Sequence, residues 1–106
     1  MGPDKKIELH RELKRILKEC YEIGYTAGYF RNDLANSDPA ELCVRYTLNT
    51  PTDGFLRLKA ERRLDLAVEN VVWTFRKDFP PEAVRQAPTR LAEFGFDVVT
   101  QRPIAD

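Results

Sequence analysis

Asp65 and Glu69 are the residues of this chain best spaced for chemistry. Four positions apart, they would project two carboxylates from one face of a helix. Such a pair can chelate a divalent cation or share acid–base work. No third ligand and no lysine at nuclease-like spacing follows, so a structural role is expected. In that role Asp65 caps a helix and Glu69 is exposed or ion-paired with Arg62 or Arg63. His10 is the single histidine, and with Cys20 and Cys43 it offers no zinc-ligand spacing; a solvated or half-buried imidazole is expected. The one serine, Ser37, lies in a turn without a nucleophile-elbow motif. The five glycines are dispersed, so no phosphate-cradling loop is present. These residues predict no enzyme, no metal and no cofactor.

Binding chemistry has more material. Arg57, Lys59, Arg62 and Arg63 form the densest cationic stretch, and Arg76 and Lys77 follow. Lys5, Lys6, Arg11, Lys14, Arg15 and Lys18 make the first helix basic on its polar face. A local patch of this kind can track phosphates. Interspersed Glu8, Glu12, Glu19, Glu61, Asp65 and Glu69 instead predict an ordinary solvated surface laced with four-residue ion pairs. Tyr21, Tyr25 and Tyr29 recur every four residues. Packing between helices is their expected role, and a recognition surface is the alternative, because tyrosine offers large contact area with little rotamer entropy to lose. The candidate partner-binding residues are therefore Tyr21, Tyr25, Tyr29, Arg57, Lys59, Arg62 and Arg63.

The elements that must position these residues are helical. The spacing predicts a first helix over 5–23 with Asp4 as N-cap and Gly24 as its stop; Leu9, Leu13, Ile16, Leu17 and Cys20 form its apolar stripe. A second, over 27–35, is capped by Thr26 and turns Tyr29, Phe30 and Leu34 inward. Asp38, Pro39 and Glu41 open a third helix that runs to about residue 48 and buries Leu42, Cys43 and Tyr46. Thr52 or Asp53 caps a fourth over 54–62. A fifth segment, 65–76, contains the β-rich run Val71-Val72-Trp73-Thr74-Phe75, yet Leu64, Val68, Val71, Val72 and Phe75 fit one helical face, so a helix is expected. The sixth opens at Pro80-Pro81, and Pro88 either kinks it or splits it. Gly95 ends that helix with Phe96 folded back, leaving 98–106 as an extended or frayed tail. The expected fold is all-α: one domain over 1–97, a compact orthogonal bundle of five or six short helices.

Composition agrees. At 106 residues the chain suits one domain, able to bury roughly 65% of the surface its unfolded form exposes. Hydrophobic residues at 42% against charged residues at 32% argue against disorder. Seventeen basic and seventeen acidic residues cancel, which counts against a dedicated nucleic-acid binder. Two cysteines in helical apolar patterns predict buried, reduced thiols. Residues 1–20 lack an apolar signal core, and no run approaches the ~20 residues of a membrane span, so a cytoplasmic chain without membrane contact is expected.

Taken in order, Gly24-Tyr25 with Tyr29-Phe30, Asp53-Gly54-Phe55-x-x-Leu58, Arg63-Leu64-Asp65-Leu66-x-Val68-Glu69, and Ala83, Ala87, Leu91, Phe94-Gly95-Phe96 resemble a helical module of about ninety residues in prokaryotic proteins. That uncharacterised module recurs as a C-terminal appendage, sometimes beside HNH or restriction-type nuclease domains. The likeness covers residues 8–97. Thr26-Ala27 replaces the module's Asn-Pro, and Pro88 replaces a charged helix former. The resemblance implies an accessory role and supplies no catalytic residues. The expected function is a non-enzymatic interaction module of a bacterial protein, binding a protein partner or itself. A nucleic-acid-associated module of a restriction or defence system, using a local Lys/Arg patch, is the alternative.

Overall fold

The computed structural model describes residues 1–104. Six helices follow one another: α1 (Pro3–Glu22), α2 (Gly28–Asn36), α3 (Pro39–Leu48), α4 (Asp53–Ala60), α5 (Val68–Thr74) and α6 (Pro81–Glu93). The architecture is an all-α bundle, closed by a two-residue hairpin of β1 (Phe96–Asp97) and β2 (Arg102–Pro103). A Cα radius of gyration of 12.8 Å matches the ~13 Å of a packed chain of this length.

The predicted stripe on α1 is buried as a unit: Leu9, Leu13, Ile16, Leu17 and Cys20. It meets α3 and α5, which pack in turn on α6. Leu42 and Cys43, Val71 and Val72, and Ala83, Ala87 and Leu91 fill the centre. Fully burying one such leucine or valine is worth about 1.5–3 kcal/mol. The valine-rich segment is thus helical, because its apolar residues must face α3 and α6 at helical spacing.

Capping departs from expectation at both early helices. Gly2, not Asp4, caps α1; Pro3 takes the first helical position and Asp4 lies in the first turn. Ala27, not Thr26, caps α2, in a left-handed conformation (φ 50, ψ 46) and without a side-chain bond. Its methyl group is buried in the core, which holds that conformation in place. The remaining signals act as read. Gly24 (φ 86) closes α1 while the Tyr25 N–H donates to Cys20 O at 2.8 Å. Asp38 accepts from the Glu41 N–H at 3.1 Å, and Thr52 accepts from Phe55 at 3.1 Å.

Two later segments differ in detail, and between them the structure decides an open alternative at Pro88. The predicted 65–76 helix divides into a 3-10 turn at Leu64–Leu66, then α5, then a second 3-10 turn at Arg76–Asp78. Ala67, extended at ψ 149, makes the first break. Pro88 lies inside a continuous α6. Residues 98–104 are folded rather than frayed. Phe96 pairs with Pro103, the Ile104 N–H donates to Gly95 O at 2.7 Å, and Gln101 exchanges side-chain hydrogen bonds with Asn70 of α5. The expected tail's residues 105–106 lie outside the described residues.

Candidate functional site

The left-handed stop at Gly24 redirects the chain between Tyr21 and Tyr25, so the three tyrosines do not share one surface. Tyr21 is 65% exposed on the last turn of α1, in a depression with Lys14, Leu17, Lys18 and Arg31. Tyr25 and Tyr29 instead line an open groove between the start of α2 and the start of α4, with Asn32, Asp53 and Arg57. Tyr29, expected to point inward, is 92% exposed. On α2 the inward places are taken by Phe30 and Leu34. Phe30 meets Tyr46 edge-on at 5.3 Å, and the Tyr46 hydroxyl donates to Asp33 Oδ2 at 2.6 Å. These two contacts on α3 set the rotation of α2 and leave Tyr29 in solvent.

Arg57 stacks its guanidinium 5.4 Å from the Tyr25 ring centroid and reaches Glu61 Oε1 at 3.1 Å. A Cβ on Gly54 would collide with the Tyr25 hydroxyl, so glycine there lets the ring lie against α4. Burial raises the Tyr25 phenol above its ordinary value. Below the groove, Tyr25 and Gly54 also line a small inner cavity of about 50 Å³, with Phe55, Leu66 and Glu69 among its walls.

The four clustered cations of α4 and its following turn are not one patch. Arg57 is held by Glu61 and Tyr25. Arg63 makes a two-armed bond to Asp65 at 3.0 and 3.2 Å and lies 3.9 Å from Glu19. Lys59 and Arg62 are exposed without an ion pair among the described residues. Arg62 also sits at φ 59 in the stop after α4, where the Arg63 N–H donates to Leu58 O.

Asp65 and Glu69 are separated as well. Asp65 lies in the 3-10 turn before α5 and bonds Arg63, one of its two expected partners, without capping a helix. Glu69 corrects the expectation of an exposed or Arg62/Arg63-paired side chain. It is 3% exposed and accepts from Arg90 Nη1 at 2.8 Å. Arg90, 5% exposed on α6, also donates to Tyr46 O at 3.1 Å and to Asn49 O, carbonyls at the end of α3. Burial pushes the Glu69 carboxyl above its ordinary range, against the opposing Arg90 bond. The signal for this pair was in the sequence: Arg90 falls on the Ala83–Ala87–Leu91 face, a core position occupied by a charge.

Cys20 and Cys43 are free and buried, as expected, and burial raises the Cys43 thiol to about 12. His10 is exposed. Among the described residues no three His, Cys, Asp or Glu side chains gather to hold a metal ion. Among the described residues no helix is long and apolar enough to cross a membrane. No protein-family model, curated protein or solved structure matches the chain.

Proposed function

We propose that the chain is a non-enzymatic interaction module whose Tyr25–Tyr29–Arg57 groove binds a protein partner or a second copy of itself. One observation carries this reading: Tyr29 stands 92% exposed at the rim of a groove whose inner wall is another tyrosine stacked with an arginine. Tyrosine and arginine dominate interface energetics, and a tyrosine buries 150–250 Å² when covered. Tyr25 and Arg57 are already ordered by their mutual contact, so a partner orders few additional side chains on binding. The resemblance to a prokaryotic accessory module supports the same reading, and with it a bacterial, cytoplasmic setting.

The test is a benzoylphenylalanine photocrosslinker at position 29, compared with the same probe at exposed Lys77. Position 29 is expected to give a discrete adduct, with a protein or with the chain itself, that is lost on Arg57→Ala. Tyr29→Ala is expected to weaken the complex by at least ~30-fold, about 2 kcal/mol. Equal labelling from both positions, together with monomeric sedimentation at high concentration, would overturn the proposal.

A further inference from the structure

Helix α1 carries its charges on two separate flanks. With 100° between successive residues, Glu8, Glu12 and Glu19 fall on one side of the buried stripe. Lys14 and Tyr21 fall on the other, with Arg11 and Lys18 next to them toward the solvent-facing back of the helix. The acidic flank is engaged locally: Glu8 with Lys5 at 3.1 Å, Glu12 and Glu19 with Arg15, and Glu19 with Arg63. Arg11, Lys14 and Lys18 make no ion pair among the described residues, and α2 adds a fourth such cation, Arg31, to the depression around Tyr21. That depression has no carboxylate in its lining. Asp4 and Glu22 stand at the border between the flanks. Zero net charge therefore conceals a cationic strip with an exposed aromatic ring at its end.

We infer that the Arg11–Lys14–Lys18–Arg31 strip with Tyr21 is a binding track for single-stranded nucleic acid. The site is independent of the Tyr25–Tyr29 groove. Along the axis, Arg11 and Lys18 lie about 10 Å apart at 1.5 Å per residue. That span is long enough for successive cations to meet successive phosphates of one strand. Cations alone would serve any polyanion. The exposed Tyr21 ring favours a strand whose bases are free to stack, because every base offers a π face and duplex bases are occupied with one another. Tyr21 ends the cationic line, so a strand held by its phosphates over Lys14 and Lys18 brings a base to the ring.

The test is fluorescence anisotropy with a labelled oligothymidylate of about 16 nucleotides, titrated over a series of salt concentrations. Duplex DNA and polyglutamate serve as competitors. Four neutralised phosphates predict a slope of log K against log salt near −2.8 for a single strand, and Lys14→Ala/Lys18→Ala should reduce it to about −1.4. Tyr21→Ala should weaken binding roughly 5- to 100-fold with the slope unchanged, and Tyr21→Phe should retain affinity. All three side chains replaced, Lys14, Lys18 and Tyr21, are exposed, and circular dichroism checks that each variant is folded. No binding at low salt overturns the inference. So does displacement by polyglutamate or duplex as effective as by the single strand, or a slope unaffected by the double substitution.

Discussion

Replacing Arg90 with methionine tests the energetics of the bundle most directly. The side chain is buried at the junction of α3, α5 and α6, and it serves three acceptors: the Glu69 carboxylate and the carbonyls of Tyr46 and Asn49. Breaking a buried ion pair by removing one partner costs about 3–5 kcal/mol. The two carbonyls at the end of α3 lose charge-assisted bonds as well, each worth about 1.5–3 kcal/mol before relaxation. Glu69 limits the total by taking up a proton, which its raised native value makes easier. Arg90→Met is thus expected to cost about 4–6 kcal/mol, much of the 5–15 kcal/mol that holds a small domain together. Glu69→Gln is milder, about 1–3 kcal/mol, because the amide still accepts and Arg90 keeps both carbonyls at the negative end of the α3 dipole. In Glu69→Gln/Arg90→Met the pair loses both charges, so the double variant should be about 1–3 kcal/mol more stable than the two single costs sum to. Urea unfolding with an unchanged m-value measures each step. Strict additivity, or an Arg90→Met cost no larger than that of Glu69→Gln, would refute the assigned roles.

Four further outcomes follow from single residues. Arg62→Gly should stabilise the fold by about 0.5–1 kcal/mol, since φ 59 costs an L-residue about 1–2 kcal/mol and the freer unfolded glycine returns part of it; the urea midpoint reads the gain. Thr47→Val should add about 1 kcal/mol, because the Thr47 hydroxyl is fully buried and makes no hydrogen bond; differential scanning calorimetry suffices. Pro88→Ala should raise the melting temperature by several degrees, as it restores a backbone donor inside α6 at a gain of about 1–2 kcal/mol. Asp38→Ala should cost about 1 kcal/mol at neutral pH. The Asp38 carboxyl is held below its ordinary range by the Glu41 N–H, with Lys6 adding to it. This difference from wild type is therefore present above the ordinary carboxylate value near 4 and vanishes as the pH falls through the lowered native one, as parallel urea series across that range would show.

Local signals were legible wherever a residue acts on its own backbone or on a neighbour within one turn. The α3 cap at Asp38, the stop at Gly24, the apolar stripe of α1 and the helical state of Val71 and Val72 are of this kind. The failures share a cause. Tyr29 shares the four-residue spacing of Tyr21 and Tyr25, but Phe30, Leu34 and the Tyr46–Asp33 bond set the rotation of α2. Ala27 has poor capping chemistry, yet burial of its methyl group selects it over Thr26. Pro88 left a kinked and a split helix both open, and packing of Ala83, Ala87 and Leu91 carries α6 through it.

The amino-acid sequence by itself determined that the chain is a helical bundle and, approximately, where its helices start and stop. Helix formation is governed by bonds between residues three and four apart, and those are written consecutively. Only the tertiary structure decided which charges are free. Glu69 and Arg90 are 21 residues apart and cancel in the interior, while Arg57 stacks on Tyr25 and Arg63 lies beside Glu19, neighbours that distant helices bring to them. Asp65 and Glu69, the pair best spaced for chemistry, are parted because Ala67 breaks the helix between them. The cationic strip on α1 and the Tyr25–Tyr29 groove owe their exposure to the same fact. Pairing across distant elements depends on how helices are rotated against one another, and that rotation is set by the core.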